Sequence, residues 1–136
     1  MDSNTAFAAV ALSAVAWDGF LSREGSRALR HSLDYRPPFN AMGQEEMVKL
    51  FDRLLKALRE AGPAALLVRA SSALNGEERK AAFAVANELM RSDGPLVQAE
   101  RKLLDDLQHQ LELRDHEVEE ILRVMDVLHH PLTAAS

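Results

Sequence analysis

The chain has no cysteine among its 136 residues. Thiolate zinc sites, iron–sulfur clusters, disulfides and cysteine nucleophiles are therefore excluded, and the composition fits a reducing compartment. No apolar run approaches the roughly 18 residues that a membrane span requires. The longest candidate, Ala6 to Trp17, is too short, and it lacks the basic lead-in and cleavage site of a secretory signal. No segment of useful length alternates polar and apolar with period two, so strands are not expected. There is no glycine-rich phosphate loop, and Ser71, Ser72 and the scattered histidines fall in no nucleophile–base spacing. The chain reads as a cytoplasmic protein, and enzyme is the least favoured class.

What is present is ordinary for one globular domain: 47% hydrophobic content and 27% charged residues. A chain of this length buries enough apolar surface to fold without a staple. The net charge of −5 is unevenly spread, since residues 105–126 carry eight acids against Arg114 and Arg123. An acidic segment of that density repels phosphates and argues against nucleic acid as a partner.

Helical spacing runs through the whole chain. Ser3 is a candidate cap for a first helix that is apolar almost all round and ends near Trp17, where Gly19 suits a left-handed terminus. Trp17 itself reads as a core plug. Ser22 is placed to cap a second helix, to about Leu33, and the tandem Pro37-Pro38 forbids helix after it. Tyr35 and Phe39 are expected to pin that connection to the core. A third helix, to about Glu60, carries the stripe Met47, Leu50, Phe51, Leu54, Leu55 and Leu58. Gly62 should stop it, with Pro63 opening a fourth that ends near Asn75-Gly76. A fifth runs from Glu77 to Arg91, and a sixth turns Leu103, Leu104, Leu107 and Leu111 inward. Asp115 is expected to cap a seventh, with Val118, Ile121, Leu122, Met125 and Leu128 facing in and a frayed end beyond Pro131.

The chain also repeats itself. A shift of 75 residues pairs Ala6 with Ala81, Ala9 with Ala84, Val10 with Val85, Ala11 with Ala86, Asp18 with Asp93, Gly19 with Gly94 and Leu29 with Leu104. Residues of about 4–34 and 77–113 thus share a plan of helix, acidic loop and helix. The expected fold is all-α, about seven short helices in a single bundle spanning 1–136, with pseudo-twofold internal duplication.

The loop Ser92-Asp93-Gly94-Pro95-Leu96-Val97-Gln98-Ala99-Glu100, its counterpart from Asp18 to Glu24, and the turn from Leu111 to Val118 resemble the TerB-like tellurite-resistance family. The resemblance implies a single TerB-like helical domain in a stress response, with acidic loops suspected of binding metal and no enzymatic activity. The first copy departs from the pattern, because Glu24 lies six residues after Asp18 and Gly25 stands where Glu100 does in the second.

Two candidate sites follow. Asp18, Glu24, Asp93 and Glu100 are the metal candidates, and oxygen-only ligands of this kind favour Mg²⁺, Ca²⁺ or Mn²⁺. The same residues also read as a turn and helix-start chemistry, since Asp-Gly is a common turn and Glu suits a helix N-terminus. Arg23, Arg27 and Arg30 form one stripe on the second helix. That stripe reads as a solvated face, or as a contact for an anionic partner, lipid headgroups or the acidic segment of another copy. Asp105 and His109 are four apart on one helix, with no third ligand in view. The leading reading is a divalent-metal-linked binding or sensing protein, and the alternative is a metal-free protein–protein interaction scaffold.

Overall fold

The computed structural model describes residues 1–91 and 98–133, the side chains of 98 and 99 excepted. Among the described residues the chain is helical with no strand, and it forms six helices. They are α1 (Ser3–Val15), α2 (Arg23–Asp34), α3 (Gln44–Ser72), α4 (Gly76–Met90), α5 (Gln98–Gln110) and α6 (Asp115–Leu128). A short 3₁₀ turn, Phe39–Ala41, follows the tandem prolines.

Six helices stand where the sequence suggests seven, and the reason is local. The break expected at Gly62 exists, with φ 84° and ψ 166°, but it occupies that single residue. Pro63 then resumes helix at once, because its fixed φ and missing N–H suit a first turn. The result is one long element kinked between 61 and 63, with no connecting loop.

α1 is the centre. Residues Ala6 to Ala14 are all buried, which follows from a helix with no charged or strongly polar face. It packs chiefly on α3 and α4, and its alanines let those helices approach closely. Its cap is Asp2, one residue earlier than Ser3: the Thr5 N–H donates to Asp2 Oδ1 at 2.7 Å. α2 lies on α1 and α4, burying Leu29 and Leu33. α5 packs on α4 and α3 through Leu103, Leu104 and Leu107, with Leu111 buried just beyond its end.

Connections are fixed by caps and turns. Gly19 takes φ 90°, as its position after α1 requires. Phe39 is buried and its ring lies 6.3 Å from that of Phe7, whereas Tyr35 stays exposed and meets His31 edge-on at 4.9 Å. Of these two aromatics it is Phe39 that anchors the connection to the core, alongside Arg36 over the Phe7 ring and the partly buried Met42. Asn75 caps α4 in a full capping box with Glu78. At the start of α6 the work expected of Asp115 falls to Glu117, whose Oε1 accepts from the Arg114 N–H at 3.0 Å. Asp115 instead accepts from the Gln108 side chain at 2.8 Å, tying α6 back to α5.

The inward stripe expected of α6 holds only for its first half. Val118 is buried, while Ile121 and Leu122 are half-buried against the core. Met125 is half-exposed, and Leu128 is 60% exposed. The helix rests on α4, and Val124, Val127 and Leu128 in its last turns stay exposed.

Candidate functional site

The first acidic loop is built by the end of α1 and the start of α2. Asp18 Oδ1 accepts the Phe20 N–H at 3.0 Å, a local turn in which the carboxylate satisfies its own backbone. Ser22 Oγ accepts from the Gly25 N–H at 2.9 Å and caps α2. Glu24 sits exposed in the first turn, where a negative charge complements the helix dipole. Gly25 is tightly placed: a Cβ there would lie 3.1 Å from Ser22 Oγ and 3.6 Å from Leu21 Cδ1. The glycine thus lets the cap close, at the cost of the carboxylate that the second copy carries at the matching position.

In the second acidic loop, Asp93 lies outside the described residues. Glu100 is half-buried in the first turn of α5. Among the described residues, no three His, Asp or Glu side chains are grouped to hold one ion. Asp105 and His109 both face solvent.

The arginine stripe is divided by its surroundings. Arg23 and Arg27 are exposed, as a solvated face would have them. Arg30 donates from Nε to Asp34 Oδ1 at 3.0 Å, one turn on, and its guanidinium carbon lies 5.9 Å from the Phe51 ring centre. The third arginine is therefore partly engaged within its own chain.

The acidic C-terminal segment is met from inside the chain by cations of α4, and these were not singled out by the sequence. Arg79 Nη1 reaches Glu112 at 3.3 Å, while its Nε donates to the Ser71 and Leu74 carbonyls at the end of α3. Lys80 Nζ lies 2.8 Å from Glu77 and 3.7 Å from Glu117. Arg91, just past α4, holds Asp126 at 2.7 Å with its own side chain only 13% exposed. The Arg114 N–H holds the Glu117 carboxyl below its ordinary range, and the hydrogen bond to Glu77 raises the Lys80 ammonium.

What remains on α6 after those pairs is an unusual surface. Val124, Val127 and Leu128 are 57%, 74% and 60% exposed on a helix that also carries five acids and one arginine. Beside it lies a cleft of about 520 Å³ between α4 and α6. A signal for this surface was present in the sequence: a single inward stripe has no place for Val124 and Val127. No protein-family model matches the chain, and no characterised protein or solved structure gives a significant match.

Proposed function

We propose that the chain is a non-enzymatic helical interaction module, of TerB-like plan and serving a stress response, that holds a basic segment of another protein on α6. The observation that carries this reading is the combination on one helix of exposed Val124, Val127 and Leu128 with a strong excess of acid. Exposed apolar side chains among like charges favour a partner that brings apolar anchors and opposite charge together. The packing of α1 directly on α4 supports the duplicated plan on which the TerB-like comparison rests, since these are the two helices that the 75-residue shift aligns. The test is affinity purification with cross-linking from stressed cells, comparing the wild type with Glu119→Lys/Glu120→Lys. Loss of a defined partner with a Lys- or Arg-rich segment is expected. Identical recovered proteins for both forms would refute the reading.

A second reading keeps a divalent cation at the acidic loops. It is favoured by Asp18, whose turn engages one carboxylate oxygen, and by the exposed Glu24 nearby in sequence. Mg²⁺, Ca²⁺ or Mn²⁺ bound to the folded state would raise its stability by about 2.7 kcal/mol at a hundredfold excess over the dissociation constant. Asp93→Asn should reduce the resulting rise in melting temperature more than Asp18→Asn, because the second loop keeps the Glu100 spacing. A melting temperature indifferent to all three ions would end this reading.

A further inference from the structure

Resting on the interaction reading above, we infer that the cleft between α4 and α6 seats one basic amphipathic helix of the partner. Its floor is apolar and uneven in size, with Ala81 and Ala84 from α4 facing Ile121, Val124 and Met125 from α6. The two alanines leave a trough where larger side chains would fill it. Along α4 the trough runs from Glu77 to Ala84, about 10 Å at 1.5 Å per residue, and along α6 from Glu117 to Met125, about 12 Å. That length matches about two turns of a helix presenting apolar residues at i, i+3, i+4 and i+7.

The rim sets the sign of the partner. Glu77, Glu117 and Glu120 stand at the cleft with His116, and its one lysine, Lys80, is already shared between Glu77 and Glu117. Among the described residues Glu120 has no ion pair, and the exposed Glu119 adjoins it. Lysines or arginines flanking the partner's apolar stripe would meet these carboxylates, whereas an anionic lipid surface would be repelled. A second copy of this chain is a poor occupant. Its basic helical stripes, Arg23/Arg27/Arg30 on α2 and Lys49/Arg53/Lys56 on α3, lie on helices whose apolar residues, Leu29 and Leu33 or Leu50, Leu54 and Leu58, are already buried in their own core.

The probe is a fluorescein-labelled amidated peptide of about 18 residues, leucine and lysine at amphipathic helical spacing, with a scrambled peptide of the same composition beside it. Fluorescence anisotropy reads the dissociation constants. The helical peptide is expected to bind at least about tenfold more tightly than the scrambled one, a difference of 1.4 kcal/mol. Ala84→Arg, which fills and charges the floor, should weaken binding about tenfold, and Glu120→Lys should do so as well. Val48→Asp, exposed on α3 and outside the cleft, should stay within about twofold. Glu120 is exposed, so its variant reports even if Ala84→Arg disturbs the fold. Wild-type affinity in Glu120→Lys and in a folded Ala84→Arg overturns the cleft assignment. If Val127→Asp then loses binding, the interaction reading survives on another part of α6. Equal affinity for helical and scrambled peptides, or no binding of either, overturns the cleft proposal. In the latter case the partner purification decides the broader reading separately.

Discussion

Asn87 is the most informative single position in the core. Its side chain is fully buried on α4, and among the described residues neither its carbonyl oxygen nor its amide nitrogen has a hydrogen-bond partner. The 75-residue shift aligns it with Leu12, which is fully buried on α1. A buried polar group left unsatisfied costs about 1–3 kcal/mol. Asn87→Leu keeps the branched shape and removes that cost, but its methyl groups are bulkier, and overpacking in a tight core costs about 1–3 kcal/mol. The removal of two unsatisfied polar groups together with added apolar burial should prevail, for a net gain of about 1 kcal/mol. In a domain of this size that is a rise of about 3–5 °C in melting temperature.

The assay is urea unfolding followed by far-ultraviolet circular dichroism, with slopes compared so that a changed midpoint reports stability alone. Two further variants separate the contributions. Asn87→Ala removes the polar group but leaves a cavity, so it should lie near the wild type. Asn87→Asp buries a charge and should cost several kcal/mol. If Asn87→Leu and Asn87→Ala both destabilise by more than about 1 kcal/mol, the amide has a bonding partner in solution and the reasoning is wrong.

Asp2→Asn keeps a competent α1 cap but cannot titrate. The Thr5 N–H lowers the Asp2 carboxyl in the folded state, so its contribution is complete above the ordinary aspartate range and lost as pH falls through the lowered value. The variant should match the wild type near neutral pH and lose less stability between about pH 4 and 2; parallel melting curves across that range would refute this. Arg79→Lys gives up the planar fork that joins the end of α3 to Glu112, and should cost about 1–2 kcal/mol by chemical unfolding. An unchanged midpoint would mean those contacts contribute nothing. Ala11→Leu or Ala86→Leu should each destabilise by about 1–3 kcal/mol through overpacking of α1 or α4, and neutrality at both would contradict their central place.

The parts of the fold that were legible in the sequence are those governed by local chemistry or by a full apolar stripe. The burial of α1 follows from its composition. The burial of Met47, Leu50, Leu54 and Leu58 follows from spacing, and the Gly19 turn and Ser22 cap follow from residue type. Other features depend on what lies beside a residue in space. Asp2 and Ser3 are both good caps, and only the path of the chain chooses between them. Tyr35 and Phe39 are both aromatic, yet only Phe39 lies within reach of Phe7. Gly62 was recognisable as a break, but spacing alone does not distinguish a one-residue kink from a loop.

The acidic segment shows the same limit at the level of function. Its charge count suggested a surface awaiting an outside cation, with Arg23, Arg27 and Arg30 as one basic stripe that could meet it from another copy. Within the chain, α4 and the residue after it do that work first: Arg79 takes Glu112, Lys80 takes Glu117, and Arg91 takes Asp126. Such partly exposed pairs contribute little energy each, but together they fix where α6 lies on α4. Glu119 and Glu120 are left outside that arrangement, beside Val124. A helix held by three of its five acids, Asp115, Glu117 and Asp126, and whose other two border the exposed Val124, is preorganised for a partner rather than in need of one to fold. α6 should accordingly stay helical and protected without any ligand, and hydrogen exchange of its amides tests this directly. Exchange from 119–125 as fast as from an unfolded peptide would mean that the surface forms only on binding.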